Sequence, residues 1–135
     1  MNENAKKWVA ALRSGEYSQT VGALRKDDGF CCLGVACDIY SRETGNGSWR
    51  EDYDEDLDEE LFGLHIGERC HMRVLPAEVV EWLGMLTCNG RHPEYDPNGR
   101  MLGYVSLSGL NDTRGLSFSE LADFIEQHEE ELFDE

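Results

Sequence analysis

Apolar positions recur at helical spacing near the start of the chain. Trp8, Val9, Leu12 and, more weakly, Ala5 share one face of residues 3–14, while Lys6, Lys7 and Arg13 fall elsewhere. This predicts an amphipathic helix that stops at Gly15. A short strand is expected over Thr20–Arg25, followed by a turn at Asp27-Asp28-Gly29. A second helix is expected from Phe30 to Arg42. Cys31, Cys32, Leu33, Val35, Ala36, Cys37, Ile39 and Tyr40 make it apolar nearly all round, which places it centrally in the core.

Residues 45–67 hold no steady period and read as a long, exposed, mobile acidic loop. Beyond it, Arg69–Val74 is expected as a strand, and Pro76 opens a helix to Leu83. Asp96-Pro97-Asn98-Gly99 is a turn signature joining strands at His92–Tyr95 and Met101–Leu107. A short helix follows over Leu107–Thr113. Ser117 and Glu120 form a capping box, and Phe118, Leu121, Ala122, Ile125 and Leu132 trace the stripe of an amphipathic acidic helix over 117–133. Glu129–Glu131 sit at the negative end of its dipole, so that end is expected to fray unless a cation holds it. The expected fold is α+β: one small domain over residues 1–135, with about four to five helices on a small, mostly antiparallel sheet.

The chain has 135 residues, one domain's length, and 40% of them are hydrophobic, enough for a core without staples. No run of about 18 apolar residues occurs, so no membrane-spanning helix is expected. The first fifteen residues lack the apolar region of a secretory signal.

The net charge of −16 is unevenly placed. Glu51–Glu60 carries eight acids and no base, and Glu120–Glu135 another eight and no base; elsewhere twelve acids face twelve bases. Nucleic acid and anionic membranes need Lys and Arg, so neither is expected as a direct partner. Two short helices around Arg114-Gly115 have a helix-turn-helix outline, but the second carries acids and no base, and phosphates would repel it. Asp52, Asp54 and Asp56 start with EF-hand spacing, yet Leu57 and Gly63 stand where Gly and a bidentate Glu are required. The acids instead offer a face to a basic protein partner, through Glu51, Asp52, Asp54, Glu55, Asp56, Asp58, Glu59 and Glu60, and through Asp123, Glu126 and Glu130 on the last helix.

Five cysteines, an odd count without a secretion signal, point to a reducing compartment. Buried core thiols are the expected state of most of them. A zinc site could be assembled from Cys70, His71, Cys88 and His92, although no C-x-x-C occurs. A cysteine enzyme would use Cys31 or Cys32 at a helix N-terminus, with His65, His71 or His92 as base. No G-x-S-x-G, P-loop or G-x-G-x-x-G is present, so no catalytic constellation and no cofactor site is expected.

Three segments together carry a resemblance: W-V-A-A-L-R-S-G-E-Y-S-Q from Trp8 to Gln19, G-F-C-C-L-G-V-A-C-D from Gly29 to Asp38, and L-N-D-T-R-G-L-S-F-S-E-L-A-D-F-I-E from Leu110 to Glu126. A fourth, L-P-x-E-V-x-E-W-x-G, runs from Leu75 to Gly84. The set resembles a largely uncharacterised family of small bacteriophage and actinobacterial proteins. The resemblance implies a phage or prophage origin and the bacterial host's cytoplasm, and it brings no enzyme class with it.

The expected function is therefore stoichiometric binding without catalysis, directed against host defence. The target would be a basic protein or a small nucleotide signal. For a nucleotide, Arg13, Arg25, Lys26, Arg73 and Arg100 would meet phosphates, and Trp8, Tyr17 or Tyr104 would stack on a base. The alternatives are an enzyme using Cys31 or Cys32, an acidic mimic of DNA, and an accessory domain whose acids only keep it soluble.

Overall fold

A computed structural model describes residues 1–56 and 58–134; Leu57, in the acidic stretch, and Glu135, the last acid of the tail, lie outside the described residues. Helix α1 spans Glu3–Ser14, capped by the Asn2 side chain and closed by Gly15 at φ 77°. Three two-residue strands follow, β1 (Ser18–Gln19), β2 (Arg25–Lys26) and β3 (Gly29–Phe30). Then come α2 (Cys32–Thr44), β4 (Ser48–Asp54), β5 (Glu59–Ile66) and β6 (Arg69–His71). The second half holds α3 (Ala77–Leu83), β7 (His92–Tyr95), β8 (Met101–Val105), α4 (Leu107–Asp112), α5 (Phe118–Gln127) and the single turn α6 (Glu129–Leu132).

The α+β class is as expected, with a mixed, mostly antiparallel sheet in the order β1-β3-β2-β5-β4, where β6 also pairs with β5. A separate two-stranded sheet joins β7 to β8. Helix α2 is the centre of the core: Cys32, Leu33, Val35, Ala36 and Cys37 are fully buried. Trp8 of α1 is also fully buried, and its indole N–H donates to the Cys32 carbonyl at 2.8 Å.

One glycine makes this packing possible. Residues 20–24 cross over the start of α2, and a Cβ on Gly34 would lie 1.8 Å from the Leu24 carbonyl oxygen. The Leu24 carbonyl accepts from the Cys31 amide, and the Leu24 amide donates to the Met72 carbonyl, so the crossing chain is pinned on both sides.

Several expectations need correction. The largest concerns residues 45–67, which are not a loop: Ser48–Asp54 and Glu59–Ile66 form a seven-rung antiparallel ladder from Ser48↔His65 to Asp54↔Glu59. Acidic residues are poor strand formers, but Trp49, Leu61, Leu64 and Ile66 supply apolar contacts, and the charges sit where one edge faces water. The expected strand over Thr20–Arg25 is mostly the crossing chain, with pairing only at Ser18–Gln19 and Arg25–Lys26. Phe30 belongs to β3, and α2 starts two residues later. The strand expected to Val74 ends at His71. Finally, the acidic helix over 117–133 breaks at His128 (φ −121°). The chain turns there so that Leu86 and Asp134 donate to the Leu132 and Gly84 carbonyls, and Leu132 and Phe133 become buried. Glu129–Glu131 therefore lie in the first turn of α6 rather than at the negative end of a longer helix, and Glu129 also pairs with the Met1 amine at 3.2 Å.

Candidate functional site

The β4–β5–β6 unit gathers most of the chemistry that the acidic stretch contains. β4 ends the sheet, so one of its sides has no strand beside it among the described residues. Alternation puts Trp49, Glu51 and Tyr53 on one face and Arg50, Asp52 and Asp54 on the other. Trp49 anchors the first face, with its indole N–H donating to Asp38 at 3.1 Å and its ring edge-on to Phe30. Further along, Tyr53 is 55% exposed, and Glu51, Glu55 and Glu60 are exposed with no ion pair among the described residues. The Asp56 amide donates to Asp54 Oδ1 at 2.9 Å, and Asp58 takes a positive φ of 53° and accepts from the Tyr53 hydroxyl.

On the second face, side chains from three strands converge over Gly63. His65 Nε2 lies 2.5 Å from Asp52 Oδ2, and Cys70 Sγ donates to the same oxygen at 3.3 Å. The His65 and then the Cys70 hydrogen bond hold the Asp52 carboxyl below its usual range. Burial and the same carboxylate push the Cys70 thiol up to about 11.

Other acids named from the sequence are committed within the domain. Arg73 pairs with the buried Asp54 at 2.5 Å, Lys26 with Glu59 at 2.6 Å, and Arg13 with both Asp123 and Glu126. Glu130 is exposed on α6. Exposed acids with no ion pair among the described residues remain on the hairpin at Glu51, Glu55 and Glu60, and also on the last helices at Glu120 and Glu130.

The nucleotide candidates do not converge. Trp8 is inaccessible in the core. Arg25 is stacked over Phe62, Phe30 and Trp49. Tyr104 carries the Arg91 guanidinium over its ring, and Arg100 lies exposed in the β7–β8 turn. Tyr17 donates to Asp38 Oδ2 at 2.6 Å. An open groove of about 430 Å³ beside Tyr17 is lined by Lys7 and Arg42, but these pair with Glu43 and Asp38.

The cysteine candidates are core groups. Cys31 caps α2, its Sγ accepting from the Gly34 amide at 3.4 Å, and burial pushes its thiol up to about 11. Cys32 is fully buried, which raises its thiol well above the ordinary range. His92 is buried elsewhere, its Nδ1 3.1 Å from the Gly90 carbonyl and its ring beside Phe124 and His128. Cys88 is exposed, and His71 Nε2 is buried with no hydrogen-bond partner among the described residues. Cys70, His71, Cys88 and His92 are therefore not brought together. The cluster the structure does form uses Cys70 with Asp52 and His65. Only the hairpin register reveals it, because Cys70 stands opposite His65 across β5–β6.

The motif segments meet as well, but inside the fold. Asn111 Oδ1 accepts from Gln19 Nε2 at 2.8 Å and from the Cys32 amide at 3.3 Å, while its amide donates to the Thr20 carbonyl at 2.9 Å. Asp38 accepts from Tyr17, Trp49 and Arg42. These are framework contacts that tie the quoted segments together inside the fold. That family's model matches residues 1–129. The chain belongs to DUF8296, a domain of unknown function. Comparison with curated proteins and with solved structures finds no match. The matched residues 1–129 include β4–β6 as well as the quoted segments.

Proposed function

We propose that this DUF8296 protein acts by occupancy, as a non-enzymatic binder that accepts an extended basic segment of a protein partner along β4. The observation that carries this reading is the union of a free sheet edge with unneutralised acid: β4 ends the sheet, and Glu51, Glu55 and Glu60 surround the exposed Tyr53. Strand addition to such an edge draws affinity from main-chain hydrogen bonds and specificity from alternate side chains. The acids also repel a second copy of the same edge, as charges on edge strands commonly do. A cationic segment reverses that repulsion into attraction.

The commitment of Arg13, Arg25, Lys26 and Arg73 to internal partners favours a protein target over a nucleotide. The burial of Cys31 and Cys32 favours occupancy over thiol catalysis. The motif likeness to small phage proteins supports the further proposal that this is a phage or prophage product blocking a basic host-defence protein in the bacterial cytoplasm.

The test is backbone NMR during titration with arginine-rich peptides of extended and helical design. Extended peptides are expected to shift the β4 amides first, with affinity falling steeply as salt rises. Glu51→Gln with Glu60→Gln is expected to weaken binding. Shifts centred on α5, or binding indifferent to these substitutions, would overturn the reading.

A further inference from the structure

We propose that Asp52, His65 and Cys70 form a binding site for a zinc-type divalent ion that clips three strands together. The inference does not depend on the partner-binding reading, since it rests on the opposite face of the hairpin. One carboxylate oxygen, one imidazole nitrogen and one sulfur lie within 4.8 Å of one another. These three donor types are the ones a borderline-soft ion selects, whereas calcium and magnesium take oxygen alone. Each donor comes from a different strand: Asp52 from β4, His65 from β5 and Cys70 from β6. Three ligands from a hydrogen-bonded sheet are held more firmly than three from loops.

Gly63 is the second observation. It is buried, and a Cβ there would stand 2.4 Å from Cys70 Sγ, 3.3 Å from Asp52 Oδ2 and 3.4 Å from Met72 Cγ. The missing side chain gives the Cys70 sulfur and the Asp52 carboxylate the room to approach each other. Tetrahedral zinc with ordinary bond lengths sets an oxygen about 3.3 Å from a nitrogen and about 3.5 Å from a sulfur. The separations without an ion are 2.5 and 3.3 Å. Loading thus requires the Asp52–His65 pair to open by roughly 0.8 Å, while the Cys70 sulfur already stands near its place relative to the Asp52 oxygen. On loading, the Cys70 S–H bond breaks, its proton goes to solvent, and its sulfur lone pair forms the bond to the ion. Any proton on His65 Nε2 leaves in the same way. The fourth position faces solvent and is left to water or to a group from a partner.

The test is titration of the reduced, metal-free protein with cobalt(II), a spectroscopic stand-in for zinc. One ion per chain is expected, with a sulfur-to-cobalt charge-transfer band and the strong visible absorption of a tetrahedral site. Zinc should bleach both. Cys70→Ser should abolish the charge-transfer band, and Cys88→Ser should leave it unchanged. Asp52→Asn and His65→Gln should weaken binding by more than the roughly 10–100-fold typical of lost outer-shell partners. Zinc should also raise the melting temperature of the wild type and not of Cys70→Ser. Absence of the band in a folded wild-type protein would overturn the proposal, and so would a band that survives Cys70→Ser. Circular dichroism of each variant separates lost binding from lost folding. Failure here would leave peptide binding on β4 intact.

Discussion

Tyr17 and Asp38, 21 positions apart, are joined at 2.6 Å by a hydrogen bond from the phenol to a carboxylate that is 6% exposed. The same carboxylate accepts from the Trp49 indole and the Arg42 guanidinium. One acid therefore ties the chain after α1 and the start of the acidic hairpin to the central helix. Tyr17→Phe removes one bond to a charged acceptor and is expected to cost about 1.5–3 kcal/mol. Asp38→Ala strands the Tyr17 and Trp49 donors together and should cost more. Urea unfolding of the two variants checks the order.

The contact between Gly34 and Leu24 yields a sharper expectation. A Cβ at 1.8 Å from a backbone oxygen has no side chain to push aside, so the crossing segment itself must move. Gly34→Ala is expected to lose at least about 3 kcal/mol, the upper end for overpacking, or to fail to fold. Gly99→Ala, in open space but at φ 83°, should cost only the ~1–2 kcal/mol of a left-handed backbone. Thermal melts of both distinguish crowding from backbone strain.

Thiol accessibility follows from burial. Cys70 and Cys88 are exposed, whereas Cys31, Cys32 and Cys37 are buried. In the metal-free native protein an aromatic disulfide reagent should modify Cys88 quickly, Cys70 more slowly because burial and Asp52 keep its thiol protonated, and the other three only after denaturation. Cys31→Ser should leave any partner binding unchanged and show its effect in stability alone. Rapid native labelling of Cys31 would contradict the packing described here.

Alkaline pH should expose the same burial. Burial holds Cys31 at about 11 and raises Cys32 and Cys37 well above the ordinary range, and burial with the Asp38 bond raises Tyr17. Unfolded thiols ionise near about 8.5. Below that pH the groups keep their protons in both states, and their contribution is complete. As pH rises further the unfolded chain releases protons first, so stability falls progressively towards the folded values. Denaturation midpoints should therefore decline from about pH 8.5 upward, with a shallower slope in Cys37→Ala.

Local patterning was enough for the helices. The 3.6-residue stripe of Trp8, Val9 and Leu12 matches α1, and the Ser117–Glu120 capping box is present with both of its hydrogen bonds. The Asp96–Gly99 turn joins β7 to β8 as its residues require, since Pro97 and Gly99 act through their own backbone angles. The acidic hairpin was illegible for the opposite reason. Its strands are poor by propensity, and they exist because Trp49, Leu61 and Leu64 find partners distant in sequence.

The sequence by itself determined the α+β class, the central place of the Phe30–Tyr40 segment and the uneven distribution of charge, because helix period, capping and net charge are local or additive properties. Only the tertiary structure decided which acids are neutralised and that Asp52, His65 and Cys70 share one face. Those outcomes depend on strand register and close approach between segments far apart in the chain. A one-residue slip in register would turn each of those side chains to the other side of the sheet.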